Sequence, residues 1–477
     1  MIPKLKLFLL ISYFNFLLAS QLTIAPLFYS DYRSQGGVWK SEKSYSFLGG
    51  WGALVEFEQN NLSFHLDFYN NRIYNMSGKP NLFSKDQGLS WYKRVDYNNN
   101  PEGSIFDFDV SNLKINYKKN NINLFFGKFN THWGYGESSL SISNKSPSFP
   151  KFGFSLNLSD KINFKYFHGI LKSDIIDSLS QEYYSQDIVG GNRFPNLNRY
   201  IAAHRLELKL IDNLNLAFNE IVIYGVRNLD IYYCLPFVPF WSLQHYLGDL
   251  DNILMVFDFN YNMSKNRSFY GSLLIDEWMP SKTFSKNNER NWFAYQIGLN
   301  FSKIFSNNDT FIAEYNWTDH RIYRHRYQIN NFYNHNYPIG FWGGPHSEEI
   351  YLNYSFSKNN ILINVEFSSA KRGILTEEML DNQYSNNNDN FVRFDDGYEK
   401  ISNLEISINK HLYRGLNAKF GINFIDWENP EFNPNILNNS NLISIEKESF
   451  FIALSYNYDF KKQETYIHKD SFKYTLK

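Results

Sequence analysis

Residues 317–327 carry the side chains best suited to hold a ligand, because three arginines alternate there with three aromatic residues. Sugars stack their C–H faces on aromatic rings, and an arginine fork matches the carboxylates of an acidic polysaccharide. The pattern favours a polysaccharide-binding site, for which the candidates are Arg321, Tyr323, Arg324, Arg326 and, in the glycine-rich stretch that follows, Trp342. A positive loop that contacts lipopolysaccharide phosphates, or a loop that is only solvated, would have the same composition.

Motifs of the common enzyme classes are missing from the sequence, which contains no G-x-S-x-G, H-E-x-x-H, P-loop or C-x-x-C pattern. Adjacent carboxylates such as Asp276 and Glu277 point to opposite faces of a strand and make no obvious acid–base couple. The spacing of four histidines suits no standard metal site: His320, His325, His335 and His346. We therefore predict no enzyme activity, no catalytic residues, no cofactor and no metal.

Apolar and polar residues alternate through most of the chain after Gln21. Successive side chains of a strand point to opposite faces, so this alternation predicts strands with one apolar and one polar face. It is clear at 293–301, 311–317, 416–424 and 450–460. The apolar faces often end in aromatic residues, which is typical of strands that face lipid, and the polar faces suit a wet lumen. A soluble all-β secreted protein remains the alternative.

Short polar turns and long polar loops separate the predicted strands. Turns lie at 59–61, 118–121, 159–161 and 358–360, whereas loops such as 70–103, 371–400 and 427–447 are long. This combination is typical of outer-membrane barrels. We count about seventeen strands, including a broken one at 105–117, and residues 22–28 would supply an eighteenth, which gives the even number usual for these barrels. The predicted fold is all-β: a transmembrane antiparallel β-barrel of about 18 strands with a partly plugged lumen.

The N-terminus has the features of a secretory signal peptide. Lys4 and Lys6 precede an apolar run at 7–18, and residues 18–20 end in small side chains suited to cleavage before Gln21. The run is shorter than the ~20 apolar residues of a membrane-spanning helix, although an uncleaved anchor helix is the alternative. We expect a signal peptide at 1–20, the outer-membrane β-barrel at 21–460 and a C-terminal tail at 461–477.

Composition narrows the class of protein further. A net charge of -1 argues against nucleic-acid binding. The mean hydropathy of -0.45 argues against a membrane protein built of helices. The single cysteine, Cys234, excludes an intrachain disulfide.

Several segments contain residue combinations that the alternating pattern of a barrel strand does not require, and these segments occur in a recognisable order. They begin with residues 127–129 and the run Trp133-Gly134-Tyr135-Gly136, continue with His204-Arg205-Leu206-Glu207, Asn219-Glu220, Asp251-Asn252 and Asp258, and end with Pro338-Ile339-Gly340 and Gly343-Gly344-Pro345. This order resembles the Wzi capsule-assembly family of outer-membrane proteins over residues 127–350. The resemblance implies an eighteen-stranded barrel that holds capsular polysaccharide on the cell surface in the manner of a lectin, with Trp133, Gly134 and Gly136 as family-motif residues.

Six polar residues are predicted to form a buried network inside the barrel: His204, Arg205, Glu207, Glu220, Arg227 and Asp251. Ion pairs that fill and partly plug the lumen are one interpretation of this set, and direct contact with a glycan is the other. Glu220 shares its strand face with Leu216 and Phe218, which would aim a carboxylate at lipid. We therefore expect a bulge there, or a position beyond the apolar band.

The sequence as a whole favours a monomeric protein of the bacterial outer membrane that anchors or assembles capsular or extracellular polysaccharide. Its expected partners are this polysaccharide, outer-membrane lipid and lipopolysaccharide, and not nucleic acid. The main alternative is an outer-membrane porin or channel for oligosaccharides or small solutes, and a third is a structural surface protein. A plugged barrel does not conduct, whereas a porin must, so the width of the lumen separates the first two.

Overall fold

Eighteen antiparallel strands close into one barrel in the computed structural model of the chain. They are β1 Gln21–Ser34, β2 Tyr45–Gln59, β3 Leu62–Tyr74, β4 Phe106–Lys119, β5 Ile122–Phe129, β6 Phe149–Ser159, β7 Ile162–Ile176, β8 Asn196–Ile211, β9 Leu214–Gly225, β10 Asn252–Ser264, β11 Arg267–Glu277, β12 Trp292–Ser302, β13 Asp309–Thr318, β14 Ser347–Lys358, β15 Ile361–Gly373, β16 Tyr398–Tyr413, β17 Leu416–Glu428 and β18 Ser444–Asn457. The predicted all-β barrel is confirmed.

The structure describes residues 21–36, 44–75, 93–94, 105–184, 194–283, 291–376, 379, 391–413, 415–430, 432–434 and 443–457. The predicted signal peptide at 1–20 and the predicted tail at 461–477 lie outside these residues. Among the described residues, no helix has the length and the apolar character needed to cross a membrane.

Each strand pairs with its sequence neighbours, and the barrel closes where β1 meets β18. Residues 22–28, the predicted eighteenth strand, lie in β1, which pairs with β2 along its whole length and with β18 from Leu27 to Arg33. The strand predicted to be broken at 105–117 is the continuous β4. With no free edge, every strand finds backbone partners on both sides, as a sheet in lipid requires.

Side chains alternate between the two faces of the wall as the sequence pattern predicts. Large apolar side chains on the outer face are exposed, among them Ile297, Phe420 and Phe450. Inward polar side chains such as Glu314 and Asn316 on β13 are buried. The outer face is therefore the one suited to lipid.

The two ends of the barrel differ in their connections. One end, the short-turn end, carries tight turns such as those between β2 and β3, β4 and β5, and β14 and β15. The opposite end, the long-loop end, carries the longer segments, with the short helices α1 Ser178–Gln181 and α2 Phe240–Tyr246, and the short strands Lys93–Arg94, Tyr333–Asn334 and Tyr337–Pro338.

Two of the long loops fold into the lumen at the long-loop end. They are residues 130–148, between β5 and β6, and residues 319–346, between β13 and β14, and together they are called the plug. The plug contributes nine side chains to one buried apolar cluster with the inner face of the wall: Trp133, Leu140, Ile142, Ile322, Tyr323, Phe332, Ile339, Phe341 and Trp342. The lumen is partly plugged, as predicted, by an interior packed like a domain core.

A third long loop, residues 226–251 between β9 and β10, lies on the outside of the wall and is called the strap. Phe240 and Leu243 of α2 are buried in a cluster with Ala202 on β8 and Val222 on β9. The residues next to these on the same strands, such as Ile221, belong to the cluster that holds the plug. Since neighbouring side chains point to opposite faces, the strap covers the outer face of the barrel.

Candidate functional site

A buried carboxylate of the wall holds the first plug segment in place. Glu314 on β13 accepts the backbone N–H of Glu137 at 2.8 Å and that of Ser138 at 3.0 Å. The hydroxyl of Tyr270 also donates to Glu314, at 3.0 Å. A Cβ on Gly136 would lie 2.4 Å from the Oε2 atom of Glu314. The family-motif glycine at 136 therefore permits the close approach of the plug backbone to this carboxylate.

The other two family-motif residues shape the same plug segment. Trp133 is buried, its ring centroid lies 5.1 Å from that of Phe167 on the wall, and its backbone N–H donates to the carbonyl of Ile142 at 2.8 Å. Gly134 has a φ of +143°, a conformation that residues with a side chain rarely adopt. Both residues therefore serve the fold of the plug.

The two plug segments are joined to each other by hydrogen bonds. The Tyr323 hydroxyl donates to the carbonyl of Leu140 at 2.6 Å and accepts the backbone N–H of Phe341 at 3.0 Å. The backbone N–H of Ser143 donates to the carbonyl of Ile339 at 2.8 Å. These hydrogen bonds join residues 130–148 and 319–346 into a single packed unit, although the two segments are far apart in sequence.

Three of the five predicted polysaccharide-binding residues are buried in this unit. Arg321 is 4% exposed, and its guanidinium donates to Asp319 at 2.8 and 2.9 Å. Tyr323 is fully buried, and Trp342 donates from Nε1 to Glu349 on β14 at 3.0 Å. Arg321, Tyr323 and Trp342 thus support the plug, and polysaccharide binding by these three residues stays a prediction.

The remaining two candidates lie where the plug reaches the surface. Arg324 is half-buried, whereas Arg326, Tyr327 and Gln328 are exposed. The guanidinium of Arg326 lies 5.0 Å from the centroid of the Tyr327 ring. Residues 324–328, called the ridge, thus present a cation and an aromatic ring together, which are the two chemical features expected of a site for an acidic sugar.

The ridge makes hydrogen bonds to the wall and to the strap. Arg199 on β8 donates to the backbone carbonyls of Ile329, at 2.5 Å, and of Gln328, at 3.1 Å. Arg326 donates from Nη2 to the carbonyl of Asp249 in the strap at 2.6 Å. The ridge therefore sits at the junction between plug and strap, and its backbone is fixed by a buried arginine.

Two of the six residues in the predicted polar network, Arg205 and Glu207, lie in the lumen. Arg205 donates to Glu207 at 2.8 Å and also to Asp258, and Lys165 donates to Glu207 at 2.7 Å. The guanidinium carbon of Arg205 lies 5.7 Å from the ring centroid of Tyr135 in the plug. Two cations thus face two carboxylates, and this balanced set supports the plug from the wall.

His204 and Glu220 lie instead on the outer face, beneath the strap. Glu220 accepts the backbone N–H groups of Phe240 at 2.8 Å and of Trp241 at 2.6 Å, at the start of α2. His204 Nε2 lies 2.9 Å from Glu220, and its Nδ1 lies 2.9 Å from the carbonyl of Pro236. The imidazole of His204 is thus held between a carbonyl of the strap and the carboxylate of Glu220.

The bulge expected at Glu220 is wrong. β9 keeps its register with β8 and β10 through Glu220, and the one shift recorded in its pairing lies at Leu214 and Asn215. The carboxylate avoids lipid because the strap covers it and supplies hydrogen-bond donors. A single network of six lumen residues is also wrong, because the loop that follows β9 folds back over the outer face of the wall.

Arg227 and Asp251, the last two members of that set, tie the two ends of the strap together. The guanidinium donates to both carboxylate oxygens of Asp251, at 2.9 and 2.7 Å, and to Asp230 at 3.0 Å. The Tyr233 hydroxyl also donates to Asp251, at 2.6 Å. Although burial opposes it, the hydrogen bonds that Arg227 donates to Asp251 and Asp230 raise the pKa of Arg227 above its ordinary value.

Two histidines of the plug lie in an apolar pocket at the long-loop end. The His320 ring stacks on Phe391 at 3.8 Å between centroids, and the His346 ring stacks on Phe394 at 4.8 Å. Burial lowers the pKa of His320 to about 4 and that of His346 to about 3. In the part of the chain that the structure describes, no group of three metal-binding side chains comes together.

The sequence interpretation did not single out Arg199, Glu314 and Glu349, the wall residues that hold the plug. Each occupies an inward position of a strand, where a charged side chain must find a partner inside the barrel. The only signal was this alternation, and it is shared by many other polar residues of the lumen.

Comparison with known proteins adds a family and a fold. The family model described as capsule assembly protein Wzi matches residues 83–441, well over half of the chain. A search of curated proteins finds no match. The solved structure of Wzi from Escherichia coli, described as an outer membrane protein involved in group 1 capsule assembly and as a carbohydrate-binding β-barrel, shares 14% identity over 90% of this chain and 83% of its own, with a TM-score of 0.53.

Two other outer-membrane barrels are similar at lower scores. OprD from Pseudomonas aeruginosa shares 11% identity over 92% of this chain and 93% of its own, with a TM-score of 0.46. OccAB2 from Acinetobacter baumannii shares 10% identity over 94% of this chain and 99% of its own, also with a TM-score of 0.46. At these identities, the likeness to solved structures bears on the fold alone.

Proposed function

Because the chain belongs to the capsule assembly protein Wzi family, we propose that it binds capsular or extracellular polysaccharide and holds it at the outer surface of the cell. The protein is a closed barrel of the outer membrane. Barrels of this kind carry their long loops on the extracellular side, so the plug, the ridge and the upper part of the strap face the cell exterior.

The observation that carries this proposal, beside the family, is the ridge. It brings the exposed Arg326 and Tyr327 to the outer surface on a backbone fixed by Arg199. Arg326 would pair with carboxylates of the polymer, while Tyr327 would stack on the apolar face of a sugar ring. Arg324 lies at the edge of the same surface and adds positive charge. Binding of this kind needs no catalytic group, and we propose none.

The plug supports retention over transport. A porin or channel needs a continuous wet path, whereas apolar plug side chains pack against the wall at the extracellular end of the lumen. We propose that the resting barrel passes neither oligosaccharides nor small solutes. Lipid and lipopolysaccharide would surround a single copy of the barrel, which needs no second chain to close its wall.

The test is deletion of the gene, followed by measurement of how polysaccharide divides between cells and medium. Retention predicts that polymer moves into the medium while total synthesis is unchanged. If the division stays as in the parent strain, the retention function is wrong, and a channel becomes the function to examine.

Complementation then separates the function from the site. Wild-type protein and the Arg267→Ala variant, which removes an exposed arginine at the short-turn end, should restore retention. The Arg326→Ala/Tyr327→Ala variant should reach the same level in the membrane but leave polymer in the medium. Full restoration by that double variant would place the binding site elsewhere on the barrel.

A further inference from the structure

We propose that the strap is embedded from Ile231 to Trp241 among the acyl chains of the outer membrane, where it forms a lipid-facing layer over the wall. This inference concerns the outer face of the barrel and is independent of polysaccharide binding. It depends on three observations: the depth that the strap reaches, the polar groups that it hides and the apolar side chains that it exposes.

The strap reaches far down the wall. Glu220, which accepts the N–H groups at the start of α2, is the seventh of the twelve residues of β9. Phe237 of the strap stacks on Phe164, near the short-turn end of β7, with 4.8 Å between ring centroids. A tilted strand needs about 9–11 residues to cross a bilayer. The outer face of β9 from its midpoint to its extracellular end is therefore occupied by the strap at a depth where lipid surrounds the rest of the barrel.

Beneath the strap lies a group of polar side chains that lipid could not accommodate. His168 on β7 is fully buried, and its Nε2 lies 2.7 Å from the hydroxyl of Tyr224 on β9. The Tyr166 hydroxyl donates to the carbonyl of Tyr233 in the strap at 2.9 Å. Together with His204 and Glu220, these groups face outward from the wall. Each finds its partner in the strap or in a neighbouring strand, so the polar atoms are sealed from hydrocarbon.

The surface that the strap turns away from the wall is strongly apolar. Ile231, Phe237 and Trp241 are 74%, 65% and 53% exposed. Exposed apolar patches of this kind on a soluble surface would favour aggregation or binding to a partner. Here the patch continues the lipid-facing surface of the same wall, where Phe257 on β10 is 47% exposed. The geometry and the continuity together favour acyl chains as the occupant.

Spin-label accessibility tests this inference directly. A nitroxide is attached in turn to Phe237→Cys and Trp241→Cys, each in a Cys234→Ser background, and the full-length protein is reconstituted into vesicles of phosphatidylethanolamine and phosphatidylglycerol. Molecular oxygen concentrates in the bilayer and a nickel chelate stays in water. Labels at Phe257→Cys and Tyr327→Cys give the bilayer and the aqueous reference.

Embedding predicts that both strap labels match the label at 257, with high oxygen and low nickel accessibility. Labels that match position 327 would place the strap in water and overturn the proposal. Labels shielded from both reagents would mean that protein, such as a second copy of this chain, covers the strap, and this would overturn it as well. Two positions are used so that the result does not depend on a single label, and heat-modifiable migration of each variant in gels checks that the barrel has formed.

Discussion

Ser138 of the plug donates its backbone N–H to Glu314 of the wall at 3.0 Å. The two residues are far apart in sequence, and both are buried inside the barrel. A buried carboxylate is stable there because backbone and side-chain donors surround it. This contact links the wall to the plug, and it suggests where a single substitution would release the plug without removing a strand.

Glu314→Ala should loosen the plug. The change leaves the N–H groups of Glu137 and Ser138 and the hydroxyl of Tyr270 without their acceptor, at a cost of roughly 3 kcal/mol in the free energy of unfolding. We expect ion-conducting openings in planar bilayers that the wild-type protein lacks, together with a lower urea midpoint. Glu446→Ala, which removes an exposed carboxylate at the rim, is the control. A closed Glu314→Ala barrel with an unchanged midpoint would show that the plug does not depend on this contact.

Glu220→Ala should detach the strap and leave the plug in place. The substitution leaves two N–H groups of α2 and the Nε2 atom of His204 without their partner in an apolar setting, at a cost of about 3 kcal/mol. Limited proteolysis should then cut within 226–251, whereas planar-bilayer recordings should stay closed. Glu448→Ala, on the exposed outer face of β18, serves as the matched carboxylate control. Equal protease resistance of both variants would contradict a role for Glu220 in holding the strap.

Arg326→Ala should weaken binding of the isolated acidic polymer about tenfold, which corresponds to about 1.4 kcal/mol for one charge-assisted contact. Added salt should reduce the wild-type affinity toward that of the variant, since an exposed ion pair is screened. Arg267→Ala makes the same change in net charge at the periplasmic end and should bind like wild type. The measurement is surface plasmon resonance with polymer on the chip. Equal loss in both variants would mean that net charge, and not the ridge, determines binding.

Acid should destabilise the plug between about pH 6.5 and pH 4. Burial lowers the pKa of His320 to about 4 and of His346 to about 3, whereas a histidine in an unfolded chain has a pKa of about 6.5. Below pH 6.5 the unfolded state therefore binds more protons than the folded state, and the free energy of unfolding falls with pH, by roughly 2 kcal/mol for each ring.

The geometry of His346 explains why its neutral form is required. Its Nδ1 donates to the carbonyl of Ile374 at 2.7 Å, so its Nε2 must accept the N–H of Phe394 at 3.2 Å. Protonation removes that acceptor. Urea midpoints at pH 7.5 and 4.5 measure the effect, and His320→Phe, which keeps the stacking on Phe391 but cannot ionise, should reduce it by about half, because His346 still titrates. A pH dependence identical to wild type in that variant would assign the effect to other groups.

The barrel could be predicted because its signal is local and repeated. Alternation at 311–317 and 450–457 fixes which side chains face outward, and even the weak run at 22–28 forms β1. These assignments follow from the period of a strand, so they need no knowledge of distant parts of the chain.

The positions of the plug and of the strap could not be predicted in the same way. Arginines and aromatic residues in a loop suit a glycan site and the interior of a plug equally well. Arg321 is buried and Arg326 is exposed although they lie only five positions apart. Glu220 shows the same limit, because its strand face is correctly predicted to point outward but its partner is a loop whose path is set by tertiary packing.

The seam between β1 and β18 ties completion of the interior to closure of the wall. Phe450 donates its backbone N–H to the Ser34 hydroxyl across that seam, over a sequence separation of 416. Contacts this distant form slowly, and until they form the wall is an open sheet with two unpaired edges. The apolar cluster that holds the plug includes Tyr29 on β1 and Trp427 on β17, which lie on opposite sides of the seam. The cluster therefore lacks part of its lining until the first and last strands meet.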